Sequence, residues 1–218
     1  MRSFNRRMPE EINRVVADHI CDINFCSSPA AVENLVKEGL GGTSFLVGDV
    51  MFDCALKFEH VAEKHYNPFK EYNVDKGLYI LVTCHRAENT DERRNLKQIV
   101  DAVNMISEHF PVVFPVHPRT KKFLEQYRLA FNGSVNVIPP VSYFEMLLLE
   151  KHAKMILTDS GGVQKEAFFY RVPCITMRHE TEWIETVELG WNIVAGPDRK
   201  KIMAAFANFA THTLTVPK

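Results

Sequence analysis

From residue 78 onward the sequence alternates short runs that are apolar throughout with segments of helical periodicity, and no other feature constrains the fold as much. The apolar runs fall at 78–83, 112–116, 135–138, 155–158, 174–177 and 192–194. Helical patterns follow them at 95–109, 119–131, 142–151, 162–170, 182–189 and 199–210. A strand with one wet face alternates apolar and polar residues, whereas a strand covered on both faces is apolar at every position. Such strands, each followed by a helix, predict a parallel sheet with helices on both sides. The expectation is therefore an α/β protein whose residues 78–218 form one complete doubly wound, Rossmann-like lobe.

Residues 1–66 predict less sheet. Pro9 opens a helix, with Glu10 and Glu11 at its positive dipole end and Ile12, Val15, Val16 and His19 as its apolar face. A strand over 22–26, a helix over 29–38 capped by Ser28 and stopped by Gly39, a strand over 44–47 and a helix over 50–66 complete the segment. Two strands are too few for a second lobe of the same kind, so this stretch reads as the remnant of one. The polar stretch 67–77 is the expected linker.

Charge bounds the partners. With 26 Lys and Arg against 27 Asp and Glu, the formal net charge of −1 provides no broad field for nucleic acid or a membrane surface, and neither is expected as a partner. An anionic ligand must be held by a local site. Hydrophobic residues at 46% exclude a disordered chain. The five cysteines (Cys21, Cys26, Cys54, Cys84 and Cys174) are odd in number and contain no C-x-x-C pair, which predicts reduced thiols in a cytoplasmic protein. Cys21 and Cys26 lack the second pair that a metal knuckle needs. No run reaches the roughly 18 apolar residues of a membrane span, and the first residues have no signal-peptide core.

Doubly wound sheets bind ligands beyond the carboxyl ends of their strands. Three polar turns fall there: Cys84-His85-Arg86-Ala87-Glu88-Asn89, His117-Pro118-Arg119, and Asp159-Ser160-Gly161-Gly162. The last is small, glycine-rich and enters a helix, so it offers free backbone N–H groups and a positive dipole end to a phosphate. Neither a G-x-G-x-x-G fingerprint nor a P-loop is present, and no G-x-S-x-G surrounds Ser160. Glu166, one turn into the same helix, is placed to accept hydrogen bonds from the vicinal hydroxyls of a ribose. Taken singly, each feature is equally an ordinary turn, a solvated glutamate or a satisfied histidine. His85 beside Arg86 on the rim that carries the phosphate turn tips the balance, because the pair can neutralise a diphosphate and move a proton near pH 7. His60 and His65, five residues apart, miss the one-face spacing of helical ligands. His109, His152 and His212 carry no informative context.

Further runs complete a pattern: Met8-Pro9-Glu10-Glu11-Ile12-Asn13-Arg14, Val47-Gly48-Asp49, Thr83 to Asn89, Val116 to Arg119, Thr158 to Ala167 and Glu180 to Glu188. Together they resemble the non-hydrolysing UDP-N-acetylglucosamine 2-epimerases along almost the whole chain. The resemblance implies a glycosyltransferase-B-type fold of two lobes, with UDP in the carboxyl-terminal lobe and the sugar between them. It implies roles for His85 against diphosphate and sugar, for Ser160, Gly161 and Gly162 as the phosphate turn, and for Glu166 on the ribose. Val141 and Met146 fall where the uracil is held. Glu10 matches a catalytic carboxylate, and Arg86 and His117 match positions associated with a second, activating substrate molecule.

The implied reaction interconverts UDP-N-acetylglucosamine and UDP-N-acetylmannosamine by loss and re-addition of UDP, with no nicotinamide and no metal. The implied assembly of a full-length protein is a homodimer. The sequence departs from the family pattern at both ends, where most of the first lobe and the final helices have no counterpart, and Trp183 stands where many bacterial relatives have arginine. The chain itself is thus expected to bind UDP and to need the rest of the first lobe for turnover. A UDP-sugar transferase of the same architecture and an inactive UDP-binding fragment are the competing readings. The C-H-R-A-E-N run and the Pro-Glu-Glu helix favour the epimerase.

Overall fold

The computed structural model describes residues 2–6 and 8–211. His212 lies outside them. Contacts divide the chain into two compact units, Met1–Cys54 and Ala55–Lys218.

The first unit contains α1 (Pro9–Ile20), β1 (Asn24–Cys26), α2 (Pro29–Lys37), a 3-10 turn (Gly41–Thr43), β2 (Ser44–Leu46) and the start of α3 (Val50–His65). Pro29 at the first helical position and the Ser28 hydroxyl, which accepts from the Ala31 N–H at 3.3 Å, start α2. β1 and β2 pair in parallel, Asn24 opposite Ser44 and Cys26 opposite Leu46. Cys26, Ala31 and Leu35 form the small core. The expected apolar face of α1 is not buried: Ile12 and Val16 are exposed, and the helix instead buries Glu11. That carboxylate accepts from the backbone N–H groups of Ser3 (3.0 Å) and Phe4 (3.1 Å) and from the Ser3 hydroxyl (3.1 Å). These bonds lower its pKa against the opposing effect of burial. Arg2 is buried between Asp18 (2.6 Å) and Glu38 (2.7 Å).

The second unit runs through α4 (Pro68–Glu71), β3 (Ile80–Thr83), α5 (Ala87–Thr90), α6 (Arg93–Ser107), β4 (Val112–Pro115), α7 (Pro118–Tyr127), β5 (Val135–Ile138), α8 (Tyr143–Lys151), β6 (Met155–Thr158), α9 (Gly161–Phe169), β7 (Cys174–Thr176), α10 (Ile184–Glu188), β8 (Asn192–Val194) and α11 (Arg199–Thr211). All six strands are parallel, in the order β5-β4-β3-β6-β7-β8. Alternate strand residues feed two cores, one on each face. Ile80 and Val82 join a cluster with α6 and α11, whereas Tyr79 and Leu81 join one with Leu149, Val163 and Ala167. The chain winds outward from β3 to β5 and then crosses to β6 on the other side. β3 and β6 are therefore adjacent strands with connections leaving in opposite directions, and this switch point is where such sheets open a crevice.

The expected linker 67–77 is not a free tether. α4 lies within it, and its Phe69, Tyr72 and Val74 pack onto the second core, apolar side chains hidden among polar neighbours. The division between compact units falls earlier, after Cys54. Cys26, Cys84 and Cys174 are buried, Cys21 is exposed, and all five thiols are free. Among the described residues no helix is long and apolar enough to cross a membrane.

Candidate active site at the switch point

The site grows from Asp159, the residue that follows β6. Its carboxylate is fully buried and reaches across to the loop after β3. It accepts from the backbone N–H groups of His85 (3.0 and 3.1 Å) and Arg86 (3.0 Å) and from the Asn89 side-chain amide (3.0 Å). The hydroxyls of Thr83 and Thr158 meet at 2.6 Å one step below, and Thr120 donates to the Cys84 carbonyl. A buried anion with three donors is a satisfied one, and here it locks two rim loops together.

His85 is positioned by that lock. Its Nδ1 lies 3.4 Å from Asp159 Oδ1, and its ring stands 5.8 Å from that of His117. Burial lowers its pKa below the usual histidine value, with Arg86 and His117 adding to that effect and Asp159 opposing it. The imidazole is neutral at pH 7 with its second nitrogen turned from Asp159. His117 caps α7, its Nδ1 accepting from the Arg119 N–H at 3.1 Å. The three rim positions singled out in sequence, His85, Arg86 and His117, thus come together.

The turn after β6 opens α9. Ser160 is its N-cap, the hydroxyl accepting from Val163 N–H at 3.5 Å, which leaves the N–H groups of Gly161 and Gly162 at the open end of the helix. Gly161 has a packing reason to be glycine as well as a binding one. A Cβ there would stand 2.8 Å from Glu182 Oε1 and 3.5 Å from Trp183 Nε1. The Trp183 indole donates to the Gly161 carbonyl at 2.7 Å, Lys165 lies 4.4 Å over its ring, and Glu182 bonds the fully buried Arg178 at 2.9 Å. Trp183 therefore buttresses the turn. The sequence marked none of Asp159, Arg178 and Glu182 as individual site residues.

Glu166, one turn further along α9, is 9% exposed. Burial raises its pKa to about 7, against hydrogen bonds from Glu150 and Tyr143. Val141, just before α8, and Met146, on α8, pack against the core on the same face of the sheet. Glu10 lies in the other unit, exposed on the first turn of α1. No group of three or more His, Cys, Asp or Glu side chains among the described residues could hold a metal ion.

The sequence profile described as UDP-N-acetylglucosamine 2-epimerase matches residues 1–217. The chain belongs to this family. A UDP-N-acetylglucosamine 2-epimerase homolog from Methanococcus maripaludis is 49% identical over 214 residues, which cover 96% of this chain and 59% of that protein. A UDP-2,3-diacetamido-2,3-dideoxy-D-glucuronate 2-epimerase from Pseudomonas aeruginosa is 47% identical, covering 93% and 56%. The crystal structure of the Methanocaldococcus jannaschii UDP-GlcNAc 2-epimerase in complex with UDP-GlcNAc and UDP superposes with a TM-score of 0.91 at 43% identity, over 98% of this chain and 61% of that one. The fold is thus the epimerase family's, glycosyltransferase-B-like in its parallel α/β architecture, and the chain spans about three-fifths of the length of these relatives.

Proposed function

We propose that this chain carries the nucleotide-binding half of a UDP-N-acetylglucosamine 2-epimerase. One observation carries the reading: the loop bearing His85 and the Ser160-Gly161-Gly162 turn are fastened side by side through Asp159 at the sheet's switch point. Diphosphate at the open end of α9 meets backbone N–H groups and the positive helix end. Glu166 accepts the ribose hydroxyls, Val141 and Met146 flank the uracil, and Arg86 and His117 extend the polar rim, either toward the sugar or toward a second substrate molecule.

The C2 hydrogen of the hexosamine has no carbonyl to acidify it, so abstraction follows or accompanies departure of UDP. The C1–O bond breaks with its electron pair leaving on the diphosphate. An arriving diphosphate raises the His85 pKa, so the imidazole takes up a proton and donates it as a hydrogen bond to the leaving oxygen. Glu10 is the carboxylate assigned to the C2 proton, giving 2-acetamidoglucal and UDP. Reprotonation of C2 from the opposite face and re-addition of UDP yield UDP-N-acetylmannosamine. The protein acts in the cytoplasm as a homodimer.

A second reading keeps this chemistry and changes the sugar. It is favoured by the 47% identity to an epimerase of a diacetamido-glucuronate, close to the 49% of the first relative. Incubating the chain, joined to a complete first lobe of the family, in heavy water with each UDP-sugar in turn tests both. Deuterium at C2 of a 2-epimerised product supports the elimination route and names the sugar. A product that keeps its original C2 hydrogen refutes it, and transfer of the sugar to an acceptor replaces it with a transferase.

A further inference from the structure

Beneath Glu166 lies a second carboxyl that the proposed chemistry does not use. Glu150, on the last turn of α8, is 0% exposed, and no N–H or hydroxyl donor meets either of its oxygens. Its carboxyl lies against that of Glu166 on the neighbouring α9. Two facing carboxyls, the inner one without a donor, cannot both be ionised in a dry site, because the single Tyr143 hydroxyl on Glu166 does not offset their repulsion and the desolvation of Glu150. One proton must remain between them. The deeper residue keeps it: Glu150 is wholly enclosed, whereas Glu166 touches solvent and receives the Tyr143 hydroxyl.

Among the described residues no cation is bonded to Glu150, and the neighbouring Lys151 is held by Glu59 and Glu63 instead. Tyr143 of α8, Tyr79 before β3, Tyr170 after α9 and Cys174 of β7 are the titratable groups that face the pair, with Glu59 of α3 reaching Tyr170. Burial raises the pKa of Tyr79, Tyr170 and Cys174, and that of Glu150 itself rises well above the carboxylate range. An isolated buried acid is costly unless it bonds something, and the Glu166 carboxyl is placed to receive its proton.

We propose that Glu150 is a positioning residue for the nucleotide: it stays protonated, donates to the inner oxygen of Glu166, and so fixes the outer oxygen as an acceptor for a vicinal diol. This rests on the assignment of Glu166 to the ribose. A diol donates best to a carboxylate, so UDP binding draws Glu166 into its ionised form. Nucleotide affinity then falls as pH drops below 7, by up to about tenfold per pH unit.

Two measurements on the 218-residue protein test this and separate it from the ribose assignment. Infrared spectroscopy of the ligand-free protein at pH 8 reads the acid directly. A protonated carboxyl band is expected, and it is lost in Glu150→Gln and retained in Glu166→Gln. Calorimetry with UDP between pH 6 and 8.5 reads the role. Glu150→Leu, which removes the inner donor to Glu166, is expected to bind at pH 7 about tenfold more weakly than Glu150→Gln, whose amide still donates. Its pH profile should also move to higher pH. Absence of the band, or equal affinities and profiles for the two Glu150 variants, overturns the proposal. A band present in protein that binds no UDP in any variant overturns the ribose assignment and the positioning role with it, leaving the acid pair as a purely structural feature.

Discussion

Replacing Glu166 by glutamine should stabilise the fold while weakening nucleotide binding, and the size of the gain follows from burial. An acid whose pKa rises from 4.5 to about 7 on folding binds protons more tightly in the native state than in the unfolded chain. Its contribution is fully present below the unfolded pKa and is lost as pH rises through the folded one. At about 1.4 kcal/mol per pKa unit, the ionised carboxylate costs the native state about 3 kcal/mol at pH 8 and under about 1 kcal/mol at pH 5. Glutamine has nearly the same shape and no charge to desolvate. Glu166→Gln should therefore raise the unfolding free energy by about 2–3 kcal/mol at pH 8, and the advantage should shrink to under about 1 kcal/mol at pH 5. Urea denaturation followed by tryptophan fluorescence measures this, since both tryptophans, Trp183 and Trp191, are buried in the same unit. A gain that is the same at both pH values, or a loss at pH 8, refutes the argument. The same variant should bind UDP at least about tenfold more weakly at pH 8, because a ribose contact to a charged acceptor is worth about 1.5–3 kcal/mol.

Asp159→Asn turns an amide towards the N–H groups of His85, Arg86 and Asn89, so it should cost about 3 kcal/mol of stability and shift the NMR titration of His85 to lower pH; a loss below about 1 kcal/mol counts against the lock. Gly161→Ala forces Glu182 away from Arg178 and should cost about 2–4 kcal/mol in thermal or urea unfolding. Gly133→Ala, with nothing within 4 Å of the new Cβ, is the control and should change stability by less than about 0.5 kcal/mol. Arg2→Met leaves Asp18 and Glu38 facing each other without their cation and should cost about 3 kcal/mol, read as lost protection from hydrogen exchange in residues 9–46. Unchanged exchange there would show that the buried ion pairs contribute little.

The sheet of the second unit is legible because its strands are uniformly apolar, and all six runs are strands, three with the same bounds and three shorter by one or two residues. The rim loops were legible for a related reason: the backbone opens just beyond the carboxyl end of a parallel strand, so His85, Arg86, His117 and Ser160 could be singled out by position alone. Burial of charge was not legible. Glu11 reads locally as a dipole residue on a helix start, and only the chain folding back brings Ser3 and Phe4 onto its oxygens. Glu150 falls near the end of a leucine-rich helix that has little polar face, and no spacing in the sequence marks it as buried. Periodicity reports which side chains are apolar, not which polar ones a neighbouring helix covers. The apolar face of α1 illustrates the converse, since Ile12 and Val16 fit the helical spacing and remain exposed. Glycine at 161 leaves room for a phosphate, and the close approach of Glu182 and Trp183 gives it a second cause that spacing does not encode.

The account stands on nucleotide binding at the turn after β6, and an amide NMR titration of the isotope-labelled protein with UDP tests that claim most directly. The largest shifts should fall on Ser160, Gly161 and Gly162, with Glu166, His85 and Arg86 next, and they should saturate together with one dissociation constant. Largest shifts on α6 and α7, away from this turn, or no shift at millimolar UDP, would contradict it.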